Sequence, residues 1–97
     1  VQAAVIPVSE KHLEYAESVY ASLLENGVRA AIDRRNEKLG LKIRDAQLQK
    51  TPYMLVVGGR ERDAGSVSVR SREAGDRGAV QLREFIAMVA AESRAQR

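Results

Sequence analysis

Apolar residues change their spacing several times along this chain, and each change marks a new element. Residues 3–8 (AAVIPV) form an apolar, β-branched run, which predicts a first strand. Ser9 then stands at an N-cap position before a predicted helix. The apolar residues of this helix recur at helical spacing, at Leu13, Ala16, Tyr20, Leu23 and Leu24. Asn26-Gly27 supplies a left-handed stop, so the first segment predicts a strand followed by an amphipathic helix.

A second strand and helix follow in the same order. Residues 28–32 (VRAAI) predict a strand, and Asn36 is the predicted N-cap of a helix that runs to about Lys50. Thr51-Pro52 ends that helix. Residues 53–57 (YMLVV) are apolar on both faces, as expected for an inner strand covered by helices on each side. The order to this point is βαβαβ.

The pattern changes after this inner strand. Residues 59–65 predict a polar turn. Residues 66–72 (SVSVRSR) then alternate Val67 and Val69 with polar residues, which predicts a strand with one buried and one polar face.

The remaining residues predict a loop and a last helix. The loop spans 73–78 (EAGDRG), and the helix carries an apolar stripe of Leu82, Phe85, Ile86 and Val89. The whole pattern predicts an α/β fold with helices on both faces of a mixed sheet of four or five strands. We expect one domain over residues 1–93 and a frayed tail over 94–97.

Composition narrows the possible functions. The chain has 97 residues, enough for a single modest core. It has no cysteine and one histidine, which disfavours a disulfide or a metal centre, so we expect no cofactor on this chain. No apolar run is long enough to predict a membrane span, and a cytoplasmic location is expected. The start without Met is expected of a piece of a longer protein or of a processed chain.

Positive charge is concentrated in one segment. The whole chain has a net charge of only +3. Residues 1–28 carry one lysine and four glutamates, a net of −3, whereas residues 29–50 carry seven lysines and arginines and three acids, a net of +4. A local excess of this kind suits a polyanion site, although a solvated helix face would have the same composition.

No set of residues predicts catalysis. His12 falls in the first turn of the first helix, where only Ser9 is near, so a solvent-facing or capping histidine is expected. Gly58-Gly59 follows a strand, but GGRERDAG lacks both the GxGxxG spacing and the Walker lysine. A tight turn is expected there.

The basic helix arranges its charges by its geometry. Lys38 and Lys42 are four residues apart, and Arg44 and Gln47 are three apart on a neighbouring face. Such side chains can hold phosphates and donate to base edges. The open alternative is that the acids of this segment pair with the same cations; these acids are Asp33, Glu37 and Asp45.

A second set lies around the fourth strand. Glu61 stands in the predicted turn, and Arg70 and Arg72 lie on the polar face of the strand. A carboxylate and a guanidinium held close together could recognise a base, because one accepts and the other donates. A simple cross-strand salt bridge is the alternative.

These stretches also resemble a known family. DRRNEKLGLKIRDAQLQKTPYMLVVG (33–58), with PVSEKHLEYA before it and GSVSVR after it, is similar to the C-terminal anticodon-binding domain of bacterial threonyl-tRNA synthetases, which are class II aminoacyl-tRNA synthetases. The resemblance covers essentially the whole chain, and its most specific part is R-N-E-K-x-G-x-K-I-R. It implies an α/β fold in three layers, with a mixed sheet of about five strands flanked by three helices, in agreement with the pattern above. It also implies that the chain is not itself an enzyme.

The resemblance also implies which residues contact the anticodon. These are Asn36, Lys38, Arg44, Glu61 and Arg70. The basic residues beside them are further candidates, namely Arg35, Lys42, Lys50 and Arg72. The family often shows a longer basic run after Arg70, where this chain has Glu73 and Ala74.

The implied partner is the anticodon loop of threonine tRNA, recognised at its middle G and final U. The implied parent is an ATP-dependent threonine–tRNA ligase, homodimeric through a catalytic domain outside this chain, which would bind ATP, threonine and zinc. The chain alone is expected to be monomeric. The alternative is an accessory or protein-interaction domain of the same fold that has lost tRNA binding.

Overall fold

A five-stranded sheet runs through the protein in the computed structural model, which describes the backbone of residues 1–95 and the side chains of residues 1–92. The strands are β1 (Ala3–Pro7), β2 (Ala30–Ile32), β3 (Tyr53–Val57), β4 (Ser66–Ser71) and β5 (Gly75–Gln81). Their order is β2-β1-β3-β4-β5. β1 is parallel to β2 and β3, whereas β4 is antiparallel to β3 and β5. The predicted mixed sheet is confirmed.

The described residues contain four helices, one more than predicted. They are α1 (Leu13–Glu25), α2 (Leu39–Leu48), α3 (Gly59–Ala64) and α4 (Leu82–Ala95). A single 3-10 turn with Ser9 at its N-cap precedes α1, and the Ser9 side chain makes no capping bond. The backbone of α4 continues through residues 94 and 95, where a tail was predicted, and residues 96 and 97 lie outside the described part.

The sheet has two faces with cores of very different size. α1 and α4 cover one face, where the large core is formed by Ala3, Val5, Ala16, Val19, Leu23, Val28, Leu55, Val57, Val67, Val69, Phe85 and Val89. α2 covers the other face, where the small core has only Ile6, Ala46 and Met54 as fully buried members. Because successive strand residues point to opposite faces, β1 and β3 contribute to both cores.

Part of the α2 face has no helix over it. Ser68 and Arg70 of β4 are paired with Val56 and Met54 of β3, and paired residues share a face, so they lie on the α2 side of the sheet. No residue of β4 or β5 belongs to the small core. The α2 face is therefore open over β4 and β5 in the described structure.

The prediction that Asn36 caps α2 is wrong. The helix begins at Leu39, with Lys38 in the N-cap position, and it ends at Leu48 rather than near Lys50. The Asp33 carboxylate accepts a hydrogen bond from the Arg35 backbone N–H at 3.1 Å. Such a side-chain bond to the local backbone competes with helix formation, which explains the late start.

The polar turn predicted at 59–65 is the helix α3. Glu61 Oε1 accepts a hydrogen bond from the Gly58 N–H at 2.7 Å, the arrangement of a capping glutamate at the third helical position. Gly65 then ends the helix with φ +66°. A glutamate three residues after Gly58 and a glycine after Ala64 were the sequence signals for this helix.

The loop predicted at 73–78 is also wrong, because β5 begins at Gly75. The strand is almost entirely exposed, and only Val80 is half-buried, so it has no apolar alternation to reveal it. Its first residues pair with the end of β4 around a bulge at Val69/Arg70, and glycines with positive φ at 75 and 78 permit the tight return.

Candidate nucleic-acid interface

The segment between β2 and α2, residues 33–38, carries two arginines, and both are paired with carboxylates. Arg34 donates to Glu17 on α1 at 2.6 and 3.0 Å, and its guanidinium lies 5.5 Å from the centre of the Tyr20 ring. This hydrogen bonding lowers the pKa of Glu17. Arg34 therefore joins the segment to α1 on the far face.

Arg35 joins the same segment to α2. Its guanidinium lies 2.7 Å from Asp33 and 2.9 Å from Asp45. Hydrogen bonding to both carboxylates raises the pKa of Arg35, and the same bond lowers the pKa of Asp33. The alternative that acids of this segment pair with its cations is thus correct for Arg35, whereas the partner of Arg34 is Glu17, outside the segment. The two sets of ion pairs hold the segment in place.

The next three candidates, an asparagine and two cations, are not held by carboxylates within the described residues. Asn36, Lys38 and Arg44 are exposed. No carboxylate of the described residues lies within 4.0 Å of the Lys38 ammonium or the Arg44 guanidinium. Unpaired charges on a well-anchored helix and loop are available to an outside anion.

Lys42 differs from the exposed phosphate ligand that was predicted. It is only 3% exposed, and its Nζ donates to the Pro7 carbonyl oxygen at 3.4 Å. The reason is helical position: Lys42 shares the inward side of α2 with Ala46, four residues later, which belongs to the small core.

Arg70 is half-buried on the open part of the α2 face, opposite Met54. It makes no ion pair with Asp76, its partner in β5, or with any other described carboxylate. Val67 and Val69 belong to the large core, so the predicted place of Arg70 on the other, polar face of the strand is confirmed. The register, however, places Arg70 near the amino end of β3, close to where α2 ends rather than begins.

Glu61 and Arg70 do not form the predicted neighbouring pair. Glu61 follows the carboxyl end of β3, while Arg70 lies opposite its second residue. The separation along the sheet is about four residues, or roughly 13 Å. The described residues contain no salt bridge between Glu61 and Arg70, and one Glu61 oxygen is already used to cap α3.

The remaining candidates lie at the amino end of β3. Lys50 is exposed and follows α2 with a positive φ of 61°. Arg72 is exposed after β4, and its backbone N–H donates to the Pro52 carbonyl at 2.8 Å. The candidate residues therefore extend from one end of α2 to the other instead of gathering at a single point.

His12 is half-buried at the N-cap position of α1, and its side chain makes no capping bond, so the prediction of a solvent-facing or capping side chain is wrong. Its Nδ1 atom is buried and has no hydrogen-bond partner in the described structure. The part of the chain that the structure describes contains no group of three or more His, Cys, Asp or Glu residues placed to hold a metal. It also contains no helix long and apolar enough to cross a membrane.

Comparison with known proteins defines the class of this domain. Residues 2–92 match the family model described as the anticodon binding domain. The RNA-binding domain of threonyl-tRNA synthetase from Cryptosporidium parvum superposes with a TM-score of 0.88 at 33% identity, over 93% of this chain and 23% of that one. Prolyl-tRNA synthetase from the same organism, at 24% identity and a TM-score of 0.83, shares the fold.

The chain belongs to the anticodon binding domain family. It is 55% identical over 92 residues to a threonine–tRNA ligase of Caldanaerobacter subterraneus, and 48% identical over 97 residues to that of Carboxydothermus hydrogenoformans. These matches cover 95% and 100% of this chain but 14% and 15% of the relatives. The chain is homologous to the anticodon-binding part of such ligases, and the alternative of an accessory domain is not favoured.

Proposed function

We propose that this chain recognises the anticodon loop of threonine tRNA and thereby positions that tRNA for a threonine–tRNA ligase. The observation that carries the proposal is that some cations near the α2 face are paired with carboxylates and others are not. Arg34 and Arg35 form ion pairs that hold the 33–38 segment in place. Lys38, Arg44 and Arg70 have no carboxylate partner in the described structure. An anion is the natural ligand of such a surface.

The positions of the free groups fit an extended single strand of RNA better than a small ligand bound at one place. Asn36 and Lys38 lie where α2 begins, and Lys50 and Arg72 lie where it ends. The ten residues of α2 span about 15 Å. The free guanidinium of Arg70 and the capping carboxylate Glu61 lie at two different places beside this path, so we assign them to two different bases, the middle G and the final U.

The whole protein is a larger proposal based on its relatives. The chain spans about one seventh of the ligases that it matches. ATP, threonine and zinc would bind to a catalytic domain outside this chain, which would also form the homodimer, and the protein would act in the cytoplasm. This chain alone would be monomeric.

The proposal is tested by titrating the chain with a threonine anticodon stem-loop and with one altered at the middle base. Binding should be tighter for the cognate loop and should weaken with salt, by a slope of about 0.7 per phosphate contacted. Equal affinity for the two loops, together with a flat salt response, would contradict the proposal.

Arg70→Ala should weaken cognate binding by about 1 to 3 kcal/mol and relax discrimination at one base, because it removes a planar, bidentate donor. Arg83→Ala is the matched control, since Arg83 is an exposed arginine of α4, on the opposite face of the sheet. The ratio of cognate to altered affinities is the measurement. An Arg70→Ala protein that keeps the wild-type ratio would remove this residue from the interface.

A further inference from the structure

A groove runs between α2 and the free edge of the sheet. It has a volume of about 520 Å³, within the range of small-ligand sites. Its floor is apolar and is formed by Ala4, Ile6 and Ala46. Ala31 of the edge strand forms its rim, and the Asp33–Arg35–Asp45 cluster forms one wall. We call it the α2–β2 groove.

Lys42 lines this groove and is the least satisfied charge in it. The side chain is only 3% exposed, yet its ammonium has a single long bond of 3.4 Å to the Pro7 carbonyl and no carboxylate within 4.0 Å in the described structure. An ammonium has three donors, and a buried charge is costly unless its donors are used. Two of the Lys42 donors therefore lack a partner within the described residues.

The neighbouring acids do not supply that partner. Asp33 and Asp45 are both held by Arg35, at 2.7 and 2.9 Å. With Arg35 they form a fixed ion-pair cluster that carries one net negative charge. The Lys42 charge contributes to lowering the pKa of Asp33, but neither carboxylate lies within 4.0 Å of the Lys42 ammonium. A ligand that places an acceptor at Lys42 must therefore also tolerate carboxylates beside it.

The apolar floor and the buried ammonium of this groove favour one chemical part of an RNA over the others as the ligand. A phosphate would find the Arg34 guanidinium already held by Glu17 and that of Arg35 already held by two aspartates, and it would leave the apolar floor uncovered. A nucleobase has apolar ring faces for Ala4, Ile6 and Ala46, and a carbonyl edge that accepts from an ammonium.

We propose that the α2–β2 groove binds one unstacked nucleobase of the bound RNA, with Lys42 donating to a carbonyl oxygen at its edge. The inference rests on the proposed function, since the base would belong to the same loop that contacts Lys38 and Arg44. It assigns Lys42 to base recognition rather than to the phosphate backbone.

The test compares Lys42→Met with Lys38→Met, using the threonine anticodon stem-loop and a set of stem-loops that each lack the base of one loop nucleotide. Methionine keeps the buried stem of Lys42 and removes the ammonium. Lys42→Met should weaken binding about tenfold or more with an unchanged salt slope. The loss should vanish on the one stem-loop that lacks the bound base. Lys38→Met should instead weaken every stem-loop similarly and lower the salt slope by about 0.7.

A second variant fills the groove and leaves every charge in place. Ala31→Tyr puts a ring at the exposed rim of the edge strand, and Ala87→Tyr does the same at an exposed position of α4. Only Ala31→Tyr should weaken binding, and melting curves verify that both variants fold.

The outcomes separate the two proposals. If the wild-type chain binds the stem-loop but Lys42→Met and Ala31→Tyr bind equally well, the base site is wrong and the anticodon function stands. A Lys42→Met loss that is equal on all stem-loops and lowers the salt slope would make Lys42 a phosphate contact and would also overturn the base site. A wild-type chain that binds none of these stem-loops would overturn both.

Discussion

The two faces of the sheet are formed by the same strands but differ in how many apolar residues they bury. The α1/α4 face buries twelve apolar residues in one cluster, whereas the α2 face buries three. The large core therefore supplies most of the apolar burial that stabilises the fold. The α2 face instead carries unpaired cations, a buried ammonium and a stretch of sheet with no helix over it. Covering its exposed cations with packed side chains would cost desolvation free energy.

The anchoring of the 33–38 segment connects the two faces. Arg34 reaches Glu17 on α1, and Arg35 reaches Asp45 on α2. The segment that carries Asn36 and Lys38 is thereby held from both sides. Binding groups on a segment already fixed lose less conformational freedom when an RNA is bound.

The first prediction breaks the large core and leaves the α2 face intact. Phe85 is 1% exposed and packs edge-to-face on Tyr53, with ring centres 5.4 Å apart. Phe85→Ala should lower the free energy of unfolding by about 3 to 5 kcal/mol, because it leaves a cavity among rigid neighbours. Urea melting gives the value.

The control is the half-buried Ile43, which packs against the small core. Ile43→Ala should cost about half as much or less, because it removes less buried surface. Phe85→Leu provides a milder change in case Phe85→Ala does not fold, and its stem-loop affinity should equal that of the wild type. Equal destabilisation by Phe85→Ala and Ile43→Ala would contradict the unequal division of stability between the faces.

The second prediction concerns the ion pair that holds the binding segment. Bonding to Arg35 lowers the pKa of Asp33 in the folded protein below that of the unfolded chain. The stabilisation is therefore present above the unfolded pKa of about 3.9 and is lost as the pH falls through the lower folded pKa. Asp33→Asn should lower the free energy of unfolding by about 1 kcal/mol at pH 7.

The pH dependence of that difference is the sharper measurement. Wild type and Asp33→Asn should converge in stability as the pH is taken below about 3.9, because protonation removes the charge that the variant lacks. Glu17→Gln removes the equivalent charge from the exposed Arg34 pair and should change stability less, since solvent screens that pair. A stability gap that stays constant from pH 7 to pH 3 would mean that the Asp33 charge is not responsible.

The elements that bury an apolar stripe were predicted from the sequence, and the two elements without such a stripe were missed. The strand at 53–57 and the helix with Phe85 and Val89 are defined by their apolar spacing, which burial in the large core requires. α3 is a helix of six residues defined by a capping glutamate and a terminal glycine, without a buried residue. β5 is fixed by pairing with β4, and its own side chains are nearly all exposed.

The candidate site also divides into residues that the sequence placed correctly and residues that it did not. Sequence spacing identified the basic segment, but it could not distinguish the paired Arg35 from the free Lys38, because that depends on where Asp45 comes to lie. It also placed Lys42 on the surface, since helical spacing from Lys38 indicates a shared side of the helix without showing which side is inward. Tertiary packing alone decides that point.

The last and smallest effect compares two helix ends built in the same way. At the end of α1, the Gly27 N–H donates to Leu24 and the next N–H donates to Leu23, with φ +77° at the glycine. At the end of α2, the Lys50 N–H donates to Gln47 and the next N–H donates to Ala46, with φ +61° at a lysine. A residue with a Cβ is strained in this left-handed region by about 1 to 2 kcal/mol, while glycine gives back about 0.5 to 1 kcal/mol in chain entropy. Lys50→Gly should therefore raise the free energy of unfolding by about 0.5 kcal/mol.

Lys50→Ala is the matched control, since it removes the same charge and keeps the strain, and it should not stabilise. If Lys50 also contacts the RNA, both variants should lower the salt slope of stem-loop binding by about 0.7. Equal urea midpoints for Lys50→Gly and Lys50→Ala would show that the left-handed lysine costs nothing and that the two helix ends are equivalent in energy.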